Sequence, residues 1–330
     1  MRLLAILAPS LLRTPLRCSA RVAIQIRLPA ARALNTTAQP APADKDCYLQ
    51  PLKDADTGIT VLNLSRAKAK NAISVKLLTE FREALQEVQF DGITRVLILR
   101  SVVDGVFCAG ADLKERATMS PSQVSQFLYN LRQAFRDLEA LSVPTIAVID
   151  GAALGGGLEM ALSCDIRVAG EDAKIGLTET KLAIIPGAGG TQRLPRLIGV
   201  GKAKELIFTG KILDSMGAHE YGMICHYLMD VTCHELNIKY SSLSVLLGIV
   251  NHSVQGSSFE KALSIAREIL PTGPVAIKMA KQALDKGAQT DINTGLEIEQ
   301  AYYAQVIPTE DRLEGLKAFK EKRAPVYKGR

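Results

Sequence analysis

The sequence predicts an α/β fold whose sheet is largely parallel, followed by a helical C-terminal region. Three short apolar runs, rich in β-branched residues and bounded by turn residues, predict buried strands at 59–64, 95–101 and 143–151. Helical patterns lie between these runs at 75–89 and 121–141. Strands that alternate with helices are typical of α/β proteins with a parallel sheet, because each crossover connection then carries a helix.

A local start signal supports the second of these helices. Ser120 is suited to cap it, since a serine hydroxyl accepts a hydrogen bond from an N–H that has no partner inside the helix. Pro121 fits the first turn because its φ is already helical and its missing N–H would be unpaired there.

The last part of the chain changes from alternation to helices alone. From Phe259 onward, four helical segments follow one another without a strand-like run between them. We therefore divide the chain into an N-terminal segment at 1–43, a core at 44–258 and a helical region at 259–330. The 330 residues are 47% hydrophobic, enough to bury a large core.

The N-terminal segment predicts a mitochondrial transit peptide and a location in the matrix. Its 43 residues contain six arginines, no lysine and no acid, a composition typical of such addresses. A secretory signal is the alternative, because the start is apolar, but arginines continue past the point where a signal would be cleaved. Without those six arginines, 34 basic residues face 34 acidic ones. The positive net charge therefore belongs to the address and not to a nucleic-acid surface.

No run of 18 apolar residues predicts a membrane span. The six scattered cysteines are expected to be reduced thiols, most of which pack against other side chains.

Residues 223–248 differ from their surroundings and predict an insertion. Its Cys225, His226, Cys233 and His234 form a possible zinc ligand set, but their spacing is not a familiar one, so we predict a loop or an alternatively spliced segment and no metal site. Loop-closure entropy makes such a length cost only about 1.6 kcal/mol more than a five-residue link.

Two glycine-rich stretches carry the candidate chemistry. The first, "GAALGGGLEMALSCD" at 151–165, places three glycines before a carboxylate, and the second, at 175–196, places Glu179 before a Pro-Gly turn and another glycine-rich helix start. Glycine lets a ligand approach backbone N–H groups, although a tight strand-to-helix turn is the simpler explanation. Neither stretch completes a dinucleotide or phosphate-loop motif, which counts against nucleotide hydrolysis and a dinucleotide-binding fold.

Two more stretches, "FCAGADLKE" at 107–115 and "LEGLKAFKEKR" at 313–323, complete a pattern that resembles the crotonase superfamily, also called the enoyl-CoA hydratase/isomerase family. The similarity runs over nearly the whole body, from about Ile59 to Arg323, and includes "ETKLAIIPGAGGTQRLPR" and "AKELIFTG". It implies a crotonase fold, with a ββα-spiral core and a C-terminal helical trimerisation region. It also implies hydration of a 2-enoyl-CoA double bond without a metal or separate cofactor, since coenzyme A is part of the substrate.

The resemblance implies roles for two backbone N–H groups and two glutamates. The N–H groups of Ala111 and Gly156 would form an oxyanion hole for the thioester carbonyl, and losing one such donor typically costs about 10²–10³-fold in rate. Glu159 would hold and activate water, and Glu179 would exchange a proton with the α-carbon. Taken singly, Glu159 is also an ordinary helix N-terminal charge and Glu179 an ordinary surface acid.

Further positions are implied to bind the coenzyme A part of the substrate. The backbone around Ala72, Ala109 and Leu113 would line the adenine pocket. Lys114 would meet the phosphates, and Asp112 lies in the same binding stretch.

The acyl pocket and a neighbouring subunit complete the implied site. Gly187 would line the acyl pocket, while Phe319 and Lys322 would reach the adenine site of a neighbouring subunit in a homotrimer or a hexamer made of two trimers. Taken singly, these two are a packing aromatic and a solvated charge.

The overall similarity favours 3-methylglutaconyl-CoA, a branched C5 substrate of leucine breakdown that is hydrated to 3-hydroxy-3-methylglutaryl-CoA. One alternative is a broad short-chain enoyl-CoA hydratase of fatty-acid oxidation, and another is a crotonase-like protein whose assembly the insertion impairs. RNA binding is the rival from another class. The helix over 75–88 carries two positive and three negative charges, with no lysine row and no aromatic-rich stretch, which argues against it.

Overall fold

The structure is a computed structural model, and it describes residues 42, 44–214, 251–254 and 256–330. Apart from Pro42, the predicted transit peptide at 1–43 lies outside the described residues. The predicted insertion at 223–248, with its cysteines and histidines, lies outside them as well.

The described chain alternates strands with helices and then ends in helices. The strands are β1 (Cys47–Pro51), β2 (Ile59–Leu64), β3 (Val96–Ser101), β4 (Val106–Cys108), β5 (Thr145–Ile149), β6 (Ala152–Leu154), β7 (Ile166–Gly170), β8 (Lys174–Gly176) and β9 (His252–Val254). The helices are α1 (Val75–Phe90), α2 (Leu113–Arg116), α3 (Pro121–Glu139), α4 (Gly156–Leu162), α5 (Gly190–Ile198), α6 (Val200–Thr209), α7 (Ser258–Ile269), α8 (Pro274–Gly287), α9 (Ile292–Val306) and α10 (Glu310–Glu321).

A six-stranded sheet in the order β1-β2-β3-β5-β7-β9 forms the centre of the fold. Only its edge strand β1 pairs antiparallel, with β2, and the other neighbours in this sheet are parallel. Every residue of β2 and β5 is buried, because both faces of the sheet are covered. This is why the sequence shows these strands as continuous apolar runs and not as an alternating pattern.

Alternate residues of the central strands face two separate cores. Leu62 and Leu97 belong to the core that α1 and α3 cover with Phe81 and Phe135, among others. Ile98 and its neighbours on the opposite face pack against α7. The period-2 side-chain geometry of strands therefore divides one apolar run between two layers.

A second, smaller parallel sheet, in the order β4-β6-β8, positions the candidate site. Each of its strands is only three residues long. These three strands are not among the runs predicted from the sequence, since three residues are too few for a periodic pattern.

The predicted elements agree closely with the observed ones. The run at 59–64 is β2, and the helix predicted at 75–89 is α1, one residue longer. The Ser120 side chain accepts from the Gln123 N–H in a capping box, with Pro121 in the first turn. The predicted helical succession after residue 259 is also confirmed, by α7 to α10.

Candidate active site

The candidate site lies just beyond the carboxyl ends of the three short parallel strands. Residues 109–111 follow β4, the glycine triplet 155–157 follows β6, and Glu179 comes three residues after the end of β8. Because parallel strands end at the same edge of a sheet, three segments distant in sequence meet there. Ligand sites of open α/β sheets form at this edge for the same reason.

The glycine triplet makes a turn that other residues would not fit. Gly155 has φ +53°, and a Cβ there would lie 3.1 Å from Oε1 of Glu179. A Cβ on Gly157 would lie 2.1 Å from the carbonyl oxygen of Cys108, so α4 packs directly on the end of β4. The triplet thus joins a strand-to-helix turn to a close backbone contact.

Two backbone N–H groups next to this turn are adjacent and unpaired. A Cβ built on Gly156 would be 3.6 Å from the backbone nitrogen of Ala111, and neither N–H donates to an acceptor among the described residues. The Ala111 loop is held on both sides, by the Ile73 N–H donating to Gly110 O at 2.7 Å and the Asp112 N–H donating to Ile73 O at 3.0 Å. Fixed, unpaired N–H groups of this kind bind a negatively charged oxygen.

Glu159 lies in the first turn of α4 and is 2% exposed. Its Oε1 accepts hydrogen bonds from the N–H groups of Ala188, at 2.8 Å, and Gly190, at 2.7 Å. Burial raises the pKa of Glu159, and these two N–H groups oppose that rise. Both hydrogen bonds fall on Oε1, which leaves Oε2 available to the cavity that the residue lines.

Glu179 begins a short 3-10 turn, Glu179–Leu182, and faces the same cavity. Its Oε2 is buried and has no hydrogen-bond partner among the described residues. Burial, with a further contribution from the nearby charge of Glu159, raises the pKa of Glu179 to about 7. A carboxyl group in this state can both give and take a proton near neutral pH.

The two glutamates and the two N–H groups line one cavity of about 500 Å³. Part of its wall is apolar, with Leu128 and Leu131 from α3 and Ile185 from the loop before α5. A cavity with mostly apolar walls and a few convergent polar groups is typical of a small-molecule site.

The structure places several of the residues singled out in the sequence around this cavity. Ala109, Leu113 and Gly187 line this cavity together with Ala111, Gly156, Glu159 and Glu179. Ala72 and Lys114 are not among its lining residues. Phe319 is 86% exposed on α10 and Lys322 is the exposed C-cap of that helix, so within one chain they lie apart from the cavity.

Asp112 has a structural role in this chain. One carboxylate oxygen accepts the N–H groups of Lys114 and Glu115 as the cap of α2, and the other pairs with Arg66 at 2.7 Å. These partners lower the pKa of Asp112. Its carboxylate therefore organises the loop that carries the Ala111 N–H.

The sequence did not single out two arginines that also line the cavity, Arg116 on α2 and Arg132 on α3. Neither has a carboxylate partner within ion-pair distance among the described residues. Arg132 stands four residues after Leu128, so the two share one face of the helix. This spacing was the only feature of the sequence that bears on the position of Arg132, and it does not distinguish a residue in a cavity wall from one on a solvated helix face.

Within the residues that the structure describes, no three His, Cys, Asp or Glu side chains come together in a way that could hold a metal ion. The same part of the chain contains no helix long and apolar enough to cross a membrane.

The chain is similar to known proteins in both sequence and structure. The family described as Enoyl-CoA hydratase/isomerase matches residues 54–242 and 245–330. The human protein named "Methylglutaconyl-CoA hydratase, mitochondrial" is 50% identical over 287 residues, covering 87% of this chain and 78% of the relative. The Arabidopsis thaliana "Probable enoyl-CoA hydratase 2, mitochondrial" is 49% identical over 281 residues, covering 85% of each. The crystal structure of an enoyl-CoA hydratase from Bacillus anthracis superposes with a TM-score of 0.76 at 44% identity, covering 87% of this chain and all of that one.

Proposed function

The chain belongs to the enoyl-CoA hydratase/isomerase family and is an enoyl-CoA hydratase; we propose that it uses Glu159 and Glu179 to hydrate 3-methylglutaconyl-CoA. The observation that carries the catalytic assignment is the cavity in which two carboxyl groups face two unpaired backbone N–H groups. The substrate rests on the named relatives, which include methylglutaconyl-CoA hydratases of human, mouse and rat at 49–50% identity.

The backbone N–H groups of Ala111 and Gly156 bind the thioester carbonyl oxygen. Negative charge grows on that oxygen as a nucleophile adds to the β-carbon, and both donors are already fixed in place. Because the donors need no reorganisation during the reaction, they lower the barrier more than water would.

The two glutamates divide the proton transfers. Glu159 takes a proton from water as the water oxygen bonds to the β-carbon, and Glu179 gives its proton to the α-carbon, so that one water molecule is added across the double bond. The N–H bonds to Glu159 favour its carboxylate, while burial keeps a large fraction of Glu179 protonated near neutral pH. Afterwards the two groups exchange protons with solvent and return to their starting states.

We also propose that the protein acts in the mitochondrial matrix as a trimer or a pair of stacked trimers. The relatives named as mitochondrial and the arginine-rich, acid-free start of the chain support the location. The helical region exposes large apolar side chains, as expected of a surface that packs against other copies. They include Leu284, Ile292, Leu296, Tyr303, Leu313, Leu316 and Phe319.

Two alternatives receive less support. A crotonase-like protein with impaired assembly would elute as a monomer in size-exclusion chromatography with light scattering. RNA binding through α1 lacks free cations, because Lys76 lies 3.4 Å from Asp46 and Arg82 lies 3.9 Å from Asp137. Those partners would compete with phosphates for the two side chains.

Loss of the enoyl-thioester absorbance tests the proposal, with 3-methylglutaconyl-CoA and crotonyl-CoA as substrates. We expect turnover of both, faster for the branched substrate, and a fall in kcat of about 10²–10⁴-fold for Glu159→Gln and for Glu179→Gln. Faster turnover of crotonyl-CoA would favour a broad short-chain hydratase. Full activity in either variant would sink the proposed mechanism.

A further inference from the structure

We propose that Arg132 forms a binding subsite for a free carboxylate on the acyl chain, which makes the protein selective for dicarboxylic enoyl-CoA substrates. The inference deepens the proposed function and rests on it. It assigns a binding partner to the free carboxylate, which is the group that distinguishes 3-methylglutaconyl-CoA from 3-methylcrotonyl-CoA.

The position of Arg132 is the first observation. Nη1 of Arg132 donates to the carbonyl oxygen of Gly187 at 3.3 Å, and the next residue, Ala188, donates its N–H to Glu159. The guanidinium therefore lies beside the segment that holds Glu159. Leu128 and Leu131 of the same helix line the cavity next to it, so one cation follows an apolar wall suited to a short carbon chain.

The unmet bonding capacity of this side chain is the second observation. A guanidinium has five N–H donors, and the only hydrogen bond of the Arg132 side chain within the described residues is the one to Gly187. Other arginines near the site have acidic partners: Arg193 donates through two nitrogens to Glu139, and Arg66 pairs with Asp112. A carboxylate on the ligand would provide for Arg132 the partner that the protein provides for the others.

The charges that line the cavity also favour Arg132 as the partner of a substrate carboxylate. Its lining includes two acids, Glu159 and Glu179, and two arginines, Arg116 and Arg132. A substrate carboxylate would be repelled by the Glu159 carboxylate unless a cation stood nearby, because unit charges interact strongly in a partly dry cavity. Arg132 already acts on Glu159, whose pKa its charge lowers against the larger effect of burial.

Arg116 is the less suitable of the two cations. It ends the short helix α2, which directly follows the loop carrying the Ala111 N–H, so it lies on the thioester side. Arg132 approaches from α3 on the Gly187 side. Arg116 is therefore a matched control: it is a second arginine of the same cavity, without an acidic partner in the described chain.

The experiment compares substrates that differ only in the carboxylate. Crotonyl-CoA is paired with glutaconyl-CoA, and 3-methylcrotonyl-CoA with 3-methylglutaconyl-CoA, and kcat/KM is measured for wild type, Arg132→Gln, Arg132→Lys and Arg116→Gln. We expect Arg132→Gln to lower kcat/KM by roughly 10- to 100-fold for the carboxylated member of each pair, because a charge-assisted hydrogen bond is lost. The uncharged member should lose less than the carboxylated one, since it loses only the smaller effect of Arg132 on Glu159. Arg132→Lys should fall between, since it keeps the charge but loses the planar fork.

Three results would overturn the subsite. These are an equal loss for both members of a pair in Arg132→Gln, no loss for either, and a carboxylate-selective loss in Arg116→Gln alone. An equal loss with a shifted pH profile would mean that Arg132 acts only by setting the protonation of Glu159.

A binding measurement separates this proposal from the proposed function. Glutaryl-CoA and butyryl-CoA cannot be hydrated, and calorimetry with wild type and Arg132→Gln reads the subsite without turnover. Wild type should prefer glutaryl-CoA, and the variant should lose that preference. Lack of turnover with all four enoyl thioesters would contradict the proposed function, whereas equal binding of the two saturated thioesters to wild type would contradict the subsite.

Discussion

Glu179 and Glu159 face one cavity, and after burial it is the charge of Glu159 that raises the pKa of Glu179, to about 7. The two side chains have different surroundings. Two N–H groups hold Oε1 of Glu159, whereas Oε2 of Glu179 has no partner among the described residues. Environments that separate the protonation of two neighbouring carboxyl groups create an acid and a base from one residue type.

The first prediction concerns the pH dependence of catalysis. In the hydration direction Glu179 must be protonated, so kcat should fall as the pH rises through about 7. In the dehydration direction the proton lies on Glu159 and Glu179 is a carboxylate, so the pair again holds one proton and the rate should fall over the same range. Initial rates in both directions between pH 5.5 and 9 check this. A hydration rate that does not fall as the pH rises through about 7, or opposite profiles in the two directions, would contradict the assignment of the two glutamates.

The second prediction concerns stability. The pKa of Glu179 is raised from 4.5 to about 7 in the folded protein, so the folded state binds more protons than the unfolded state between these values. The free energy of unfolding of the wild type should therefore decrease from pH 4.5 to 7 because of this group. Glu179→Gln cannot ionise, and its Tm relative to wild type should rise over that range and then level off. A difference in Tm that does not depend on pH would refute this account.

The third prediction concerns the glycine triplet. A Cβ on Gly157 would lie 2.1 Å from the Cys108 carbonyl oxygen, so Gly157→Ala must push α4 away from β4. We expect a loss of about 1–3 kcal/mol in stability and a larger loss of kcat, because the Gly156 and Ala111 N–H groups move apart. Gly201→Ala is the control, since nothing lies within 4 Å of a Cβ there. Equal behaviour of the two variants in thermal unfolding and turnover would show that the close contact is unimportant.

The fourth prediction separates a structural from a binding role for Asp112. Asp112→Ala removes the cap of α2 and the partner of Arg66, so we expect a loss of roughly 0.5–2 kcal/mol in stability. Since Asp112 holds the loop that carries the Ala111 N–H, kcat should fall more than the affinity for coenzyme A. Thermal unfolding, turnover and calorimetry with free coenzyme A check this. A large loss of affinity at unchanged stability would favour direct contact with the ligand.

Local pattern and resemblance determined much of this protein. Short stretches of sequence are enough to predict the strand β2, the helix cap at Ser120 and the helical succession after residue 259. Strand and helix preferences depend on neighbouring residues, and the positions of Glu159 and Glu179 in a known motif follow from the order of residues alone.

Only the tertiary structure decided how those residues act on one another. The meeting of Ala111, Gly156 and Glu179 depends on the parallel register of three strands too short to have a sequence signature. The pKa of Glu179 near 7 depends on burial, which is a property of packing. Arg132 lies on the exposed helix face that a periodic pattern would assign to it, and it also lines the cavity because Gly187, distant in sequence, lies beside it.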